Sequence, residues 1–458
     1  MYLISQLSYE LSVPATLPFD GGILSSAASA SRTIYQLARL PLPLLFSGRT
    51  AKNRFLKAAM TEKLASWSDT SKPARGIPGD DLVALYRAWG AGGFGITVTG
   101  NILIDHDHIE DKGNMIIPLS ASPTSPSPLM AGFQRLAKAG KADGSLLLGQ
   151  LNHPGRQCLS TIQPHPISAS DVQLCHLQMF GSGFGKPRAA STAEIQSIVA
   201  AFVNAAVFLD KAGFDGVQLH AAHGYLLAQF LSPTTNRRCD AYGGSCLTNR
   251  ARIITEIADG IRANTRRDFV LAIKANSVEF QDGGMSSEEA AELCVLLEKH
   301  GFDLVELSGG TYEDMGLRHR RESTKAREAF FLEFAEMIVP RLTRTRAYIT
   351  GGLRSTGAMV DALGAVDGVG LGRPACSEPD LPWGILRENV SGCVRPLVDD
   401  DDFGITASLG ALQMQRLAKG MVPLDPSDRE TVERFLEAKR VWLRGFGGGR
   451  GVSLPSPV

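Results

Sequence analysis

The chain lacks an excess of either charge, any close cysteine pair and any of the common nucleotide-loop motifs. Its 47 basic and 47 acidic side chains cancel over 458 residues, which removes the basic footprint that holds nucleic acid by bulk electrostatics. Seven cysteines, at 158, 175, 239, 246, 294, 376 and 393, are scattered without one C-x-x-C. An odd count without that spacing supports neither a disulfide framework nor a zinc or iron–sulfur site, so no metal is expected. It fits a reducing, cytoplasmic setting. No window approaches the roughly 18 to 20 apolar residues that span a bilayer, so no membrane partner is expected. The opening "MYLISQLSYELSVPATLPFDGG" has no basic stretch of the secretory type. No G-x-G-x-x-G follows an early apolar run and no G-x-x-x-x-G-K-[ST] occurs, which argues against a dinucleotide domain and a P-loop.

What is present is an ordinary globular composition, 44% hydrophobic and 21% charged, long enough for two average domains or one large barrel. Short apolar runs recur at residues 54–60, 94–100, 145–151, 215–220, 269–275, 303–309, 346–352 and 367–372. Helical spacing of apolar residues intervenes at 79–91, 128–140, 192–213, 247–265, 286–301, 327–342 and 355–365. Ser286 and Glu289 stand in capping-box spacing, and Gly301 closes that helix. Continuous rather than alternating apolar strands belong to parallel sheets covered on both faces. Eight of them alternating with helices predict an α/β (β/α)8 TIM barrel, with a doubly wound open sheet as the competing architecture.

Residues 158–191 are too long for a simple crossover and read as an insertion over the C-terminal rim, where barrel sites are built. The expected organisation is an N-terminal extension (1–40), the barrel (41–390), a helical C-terminal extension packed on it (391–445) and a disordered tail (446–458). Within the first segment "SSAASASRTIYQLAR" reads as a surface helix with a faint transit-peptide composition.

Two places carry chemistry. The seventh and eighth strands end in "ITGGLRS" and "VGLGRPA", where Gly351, Gly352, Gly370 and Gly372 let backbone approach an anion and Arg373 adds a forked donor. Glycine turns at the last two strands of a barrel predict a phosphate site. The fourth strand runs into "HAAHGY", placing His220, His223 and Tyr225 together in a chain with only nine histidines. Packing, zinc binding and a substrate-binding acid/base cluster are all compatible with that spacing, although zinc lacks a visible third ligand. Glu62, His153 and Asp240 read as loop-supporting residues. Tyr312 and Arg327, in or after the loop following the sixth strand, could close over a substrate.

The segments "KNRFLKAAMTE", "GQLNHPGRQ", "HAAHGYLLAQFLSPTTNRRCDAYGGS" with "NRARI", and "GLGRPACSEPDLP" together resemble the old yellow enzyme family of FMN-dependent NAD(P)H:flavin oxidoreductases, most closely its fungal members, over about residues 40–390. The resemblance implies FMN as cofactor and NADPH or NADH as hydride donor. It implies that Ala58, Ala59, Met60 and Thr61 line the flavin, that Gly100 and Gln150 meet its pyrimidine end, and that Gly352, Gly372 and Arg373 cradle its phosphate. His220 and His223 match the pair that grips the substrate's electron-withdrawing oxygen, and Tyr225 matches the proton donor. Where many relatives carry arginine on the fifth strand this chain has Lys274, which keeps the positive charge and loses the bidentate fork. Lys57 is assigned no role.

The expected activity is reduction of a small-molecule electron-poor alkene. Quinones, nitro compounds or a natural-product intermediate are alternative acceptors on the same fold. A flavin-free lyase or aldolase with Lys274 as Schiff-base lysine, and a flavin-binding protein without turnover, are readings from other classes. Barrels of this kind frequently pair, so a homodimer is one expected assembly.

Overall fold

A computed structural model describes residues 38–175, 178–179, 182–279, 281–313, 328–388, 390–399 and 402–445. Nearly all of the expected N-terminal extension, Arg327 and the tail from 446 lie outside them. Eight parallel strands close on themselves: β1 (Phe55–Lys57), β2 (Ile96–Leu103), β3 (Leu146–Asn152), β4 (Gly216–Ala221), β5 (Val270–Asn276), β6 (Leu304–Ser308), β7 (Arg346–Thr350) and β8 (Gly368–Leu371). Closure comes from β8 pairing with β1 and β1 with β2. The predicted barrel is therefore the observed fold, and the open sheet is not.

The outer ring follows in sequence: α1 (Asp80–Ala91), α2 (Pro128–Gly140), α3 (Thr192–Ala212), α4 (Arg252–Asn264), α5 (Ser287–Lys299), α6 (Leu332–Ile338), α7 (Thr356–Ala362) and α8 (Leu381–Glu388). Capping boxes start α3 at Ser191/Glu194 and α5 at Ser286/Glu289, each satisfying two otherwise orphaned backbone donors. Three expectations need correction. The helix read over 247–265 breaks at Ala251 into Leu247–Arg250 and α4. The one read over 327–342 is α6 followed by a tighter 3-10 turn at Val339–Arg341, where Pro340 cannot extend the α-helical ladder. At 21 residues α3 is long and apolar enough, by length and composition alone, to cross a membrane; here it packs against α2, α4 and the sheet.

Side chains alternate across each strand, so residues two apart share a face. Leu56, Ile96, Val98, Leu146, Leu148, Val270, Ala272, Leu304 and Tyr348 point inward and form the barrel's own apolar core. A short antiparallel ribbon, Leu42–Pro43 with Thr50–Ala51, plugs the N-terminal end with Leu42, Leu44 and Ala51. The opposite faces of the same strands belong to the larger cluster under the helices. The insertion between β3 and α3 lies over the C-terminal rim and brings Phe184 to 6.0 Å, ring to ring, from Tyr312. After β8, α9 (Phe403–Ala418) packs on α1 and on the turn of helix Arg373–Ser377, and α10 (Arg429–Gly445) closes over α9 through Leu409, Leu412, Val432 and Phe435.

Candidate active site

Following the inward faces toward the C-terminal ends, the barrel turns from apolar to polar in one step of two residues. Leu148 gives way to Gln150, Ala272 to Lys274, Leu304 to Glu306 and Tyr348 to Thr350. These groups and Gln218 form one buried chain across the barrel. Lys274 Nζ lies 3.0 Å from Glu306 Oε1, Thr350 Oγ1 donates to the same oxygen at 2.7 Å, and Gln218 Nε2 donates to Glu306 Oε2 at 2.7 Å. Burial alone would push the Glu306 carboxyl up, but Lys274 and the donated hydrogen bonds hold it below its ordinary value. With Gln218's amide nitrogen committed to Glu306, its oxygen takes Gln150 Nε2 at 2.7 Å, which leaves Gln150 Oε1 as an available acceptor.

The next inward layer holds the histidines. His220 on β4 places Nδ1 2.9 Å from Asn101 Oδ1 and Nε2 3.2 Å from His223 Nδ1. His223 Nε2 meets Ser308 Oγ at 2.8 Å, and the backbone N–H of His223 donates to Asn276 Oδ1 at 3.1 Å. His223 is a non-glycine residue at φ 58, a conformation costing about 1 kcal/mol or more that persists where its surroundings over-determine it. Tyr225, two residues on, sets its ring 4.5 Å from that of His220 and its hydroxyl 3.1 Å from that of Tyr312. Burial, then the neighbouring His223 and Lys274 charges, hold His220 well below the usual imidazole range, and burial with Lys274 brings His223 to about 3. Burial and the Glu110 carboxylate keep Tyr225 protonated far above its ordinary range. Two neutral imidazoles and a neutral phenol thus share the mouth.

Thr61, expected beside the cofactor, donates to the Glu110 carboxylate at 3.2–3.3 Å, and Asn101 Nδ2 donates to Glu110 Oε2 at 2.7 Å. Gly100, where the apolar run 94–100 ends, lies inside β2, which runs on to Leu103, at a register irregularity between Val98 and Asn101. This bulge turns Asn101 inward. The Gly100 N–H is taken by Glu62 Oε1 at 2.8 Å and Tyr86 Oη at 3.0 Å, and a Cβ there would stand 2.3 Å from Met60 O. Ala58 belongs to the inner core with Ala59 packed against it.

At the other side of the mouth β7 runs into Gly351 and Gly352, at φ 137 and 80. A Cβ on Gly352 would lie 2.0 Å from the Glu328 carbonyl oxygen, and one on Gly372 would touch Met60 Sδ at 3.3 Å. Gly372, after the last strand, therefore backs onto the segment after β1, while Gly351 and Gly352 back onto the segment at Glu328–Phe331 that leads into α6. Arg373 opens the helix after β8 and, with Arg354, Ser377, Thr406 and Gly410, lines a recess of about 380 Å³ that α9 helps to wall. A second recess, about 300 Å³, is lined by Glu110, Gln157, Phe184 and Tyr312 beside the histidine–tyrosine cluster.

These surroundings fit a flavin mononucleotide. Both amide atoms of inward-facing Asn152, both of Gln157 and Asn276 Nδ2 are buried without a hydrogen-bond partner, and buried polar groups of that kind call for one. The donor set runs from a lysine and a glutamine over the barrel core to glycine turns and an arginine at the last strands, matching an amide-edged ring at one end and a phosphate at the other.

Asn101, Glu110, Gln218, Asn276, Glu306 and Ser308 were not anticipated. Inward parity along β4–β6 marks Gln218, Glu306, Asn276 and Ser308, whereas no local signal marks Glu110. Of the residues expected to support loops, His153 and Asp240 do so, His153 Nδ1 accepting Gly155 N–H at 3.0 Å and Asp240 accepting Tyr242 N–H at 3.0 Å and binding Arg238, whereas Glu62 ties β2 at Gly100 to Tyr86 on α1. Asp105, His108 and His153 lie close enough to hold a cation. His108, however, already has Nδ1 on Asp105 at 2.6 Å, and its Nε2 accepts Ile167 N–H at 3.2 Å, so neither ring nitrogen is left for a metal. Lys57 points away from the mouth, donating to Val98 O at 3.0 Å with Nζ 3.8 Å from the Trp89 ring centroid.

Residues 40–388 match the family model of the NADH:flavin oxidoreductase / NADH oxidase family. The chain is 48% identical over 413 residues to the NADH-dependent flavin oxidoreductase nadA of Aspergillus parasiticus, covering 88% of this chain and 90% of that one. It is 34% identical over 368 residues to the NADH-dependent flavin oxidoreductase iliE of Hypocrea jecorina, covering 76% and 88% respectively. Among solved structures, the old yellow enzyme homologue from Zymomonas mobilis superposes with a TM-score of 0.64 at 21% identity, over 78% of this chain and 94% of that one. At that identity the likeness carries the fold alone.

Proposed function

The chain belongs to the NADH:flavin oxidoreductase / NADH oxidase family, an FMN- and NAD(P)H-using group with the old yellow enzyme barrel, and from that premise we propose that it reduces α,β-unsaturated carbonyl compounds or similarly activated small-molecule alkenes. FMN, when bound, supplies the hydride relay between nicotinamide and the alkene β-carbon. NADH is the proposed donor, in line with the names of the two fungal relatives. Ala58, Ala59, Met60, Thr61, Gly100, Gln150 and Lys274 would hold the ring, and Gly351, Gly352, Gly372 and Arg373 the phosphate.

The observation that carries this reading is the convergence of His220, His223 and Tyr225 in one buried cluster at the C-terminal mouth. As hydride arrives at the β-carbon, negative charge grows on the carbonyl or nitro oxygen. A preorganised imidazole N–H stabilises it in a site that excludes water, by about 3 kcal/mol per donor in comparable devices. Tyr225, kept protonated, delivers its phenolic proton to the α-carbon, and Tyr312 bounds the substrate. The Lys274–Glu306 ion pair gives the lysine a structural partner and disfavours the Schiff-base reading. A reducing compartment and a homodimer belong to the same proposal.

The test is spectroscopic. The purified protein is expected to be yellow, to release FMN on denaturation, to bleach with NADH under nitrogen and to recover its absorption on adding 2-cyclohexenone. Recovery with quinones or dioxygen but with no member of an enone panel would sink the alkene assignment while keeping the flavin one.

A further inference from the structure

A phenol that gives its proton to the substrate in each turnover must be resupplied before the next. Tyr225 has little solvent of its own to draw on, being 4% exposed. The ring packed against it, that of His220, has Nδ1 engaged by Asn101 and Nε2 by His223. The hydroxyl 3.1 Å from Tyr225 Oη is that of Tyr312, and either oxygen can donate in that contact. Tyr312 is itself half-buried and lines the outer recess of about 300 Å³ with Lys63, Glu110, Gln157 and Phe184. A hydroxyl with one proton and two lone pairs hands a proton on by giving its own to one neighbour and taking another from behind, which requires a partner on each side. Tyr312 has Tyr225 on the inner side and the recess on the outer.

The loop after β6 holds Tyr312 in that place through both of its neighbours in sequence. Thr311 Oγ1 accepts from Gln281 Nε2 at 2.7 Å, and the Glu313 carboxylate pairs with the buried Arg156 on the turn after β3. The electrostatics favour return of a proton. Burial first, then the Glu110 carboxylate, hold both phenols above the ordinary tyrosine range, so a phenolate formed on Tyr225 is a strong base beside a negative charge and takes up a proton readily.

We propose that Tyr312 is the proton relay of Tyr225: as the Tyr225 O–H bond breaks and the C–H bond at the substrate's α-carbon forms, Tyr312 passes its own proton to Tyr225 Oη and is reprotonated by water in the outer recess. The hydroxide left there is neutralised by bulk solvent, so one solvent proton is consumed per turnover and no other reactant enters. In this role Tyr312 acts through Tyr225, and the inference rests on the proton-donor reading of Tyr225.

The test follows where a solvent isotope enters the product. FMN-loaded enzyme, reduced with NADH in light water under nitrogen, is mixed with an excess of heavy water containing saturating 2-methyl-2-cyclohexenone and quenched after a single turnover. Deuterium NMR then reads the product's α-carbon separately from its β-carbon. In the wild type the relay exchanges the Tyr225 proton ahead of the reaction, and the α-carbon should carry deuterium. Tyr312→Phe keeps the ring and removes the hydroxyl alone. Tyr225 then meets solvent only when the cluster opens locally, on a timescale that reaches from μs to s, and the first product should carry α-protium at about ten-fold the wild-type level. If that variant does not fold, Arg156→Met, which frees the loop bearing Tyr312, should move the label in the same direction. Equal α-labelling in variant and wild type, whether protium or deuterium, overturns the relay and leaves Tyr225 as donor. An alkene half-reaction of Tyr225→Phe as fast as that of the wild type overturns the donor reading, and the relay with it.

Discussion

The hydroxyls of Tyr225 and Tyr312 lie 3.1 Å apart across 87 residues of chain, joining the turn after β4 to the loop after β6. Tyr225 packs on His220 and Tyr312 lines the outer recess, so the pair links the reacting cluster to the mouth. Tyr225→Phe should slow the alkene half-reaction by about 10²- to 10⁴-fold, the usual worth of a positioned general acid, while flavin reduction by NADH changes little. Anaerobic stopped-flow absorbance separates the two halves, and equal losses in both would contradict the proton-donor role.

Lys274 and Glu306 are a buried pair, 6% and 0% exposed, at 3.0 Å. Removing one charge leaves the other without compensation. Lys274→Met is expected to destabilise the fold by about 3–5 kcal/mol, and Lys274→Met combined with Glu306→Gln should regain a large part of it. Urea unfolding of both variants is the check; a double variant no more stable than the single one would mean that the pair is not the source of the loss.

Lys57 is fully buried, and burial brings its pKa from 10.5 down to about 8, Glu62 opposing only in part. Between those pH values the unfolded chain holds a proton that the native protein has released. Native stability therefore rises with pH through that window, and the unfavourable buried charge is fully present below about pH 8. Compared with Lys57→Met, whose stability lacks this dependence, the wild type should gain roughly 3 kcal/mol between pH 8 and 10.5, at ~1.4 kcal/mol per pKa unit. Parallel denaturation curves across that range test it; a difference that stays constant with pH would rule it out.

Gly352 takes φ 80, and its missing Cβ is what lets the Glu328 carbonyl approach. Gly352→Ala should displace the turn after β7 and reduce the FMN retained after gel filtration, with the barrel still folded by circular dichroism. Full flavin occupancy in that variant would remove Gly352 from the phosphate cradle.

The barrel was legible because parallel strands buried on both faces must read as apolar runs. The periods of two and 3.6 then separate strand from helix even where ends drift, as at Ala251 and Pro340. His220, His223 and Tyr225 were legible for a related reason: a local turn brings them together within six residues. Asn101 and Glu110 were not. Asn101 faces inward only because β2 bulges at Gly100, and Glu110 sits in "DHDHIEDKG" among Asp105, Asp107 and Asp111, where nothing local says which acid turns toward the mouth.

The amino-acid order alone determined which faces are apolar, hence eight strands, their helices and the place along them where polar side chains begin; these are properties of neighbours two to four residues apart. Ring closure, the bulge, the Tyr225–Tyr312 contact and the meeting of His220 with Asn101 were decided only in three dimensions. Each depends on groups that closure brings within hydrogen-bond distance after long stretches of intervening chain, and a short-range pattern carries no record of such an encounter.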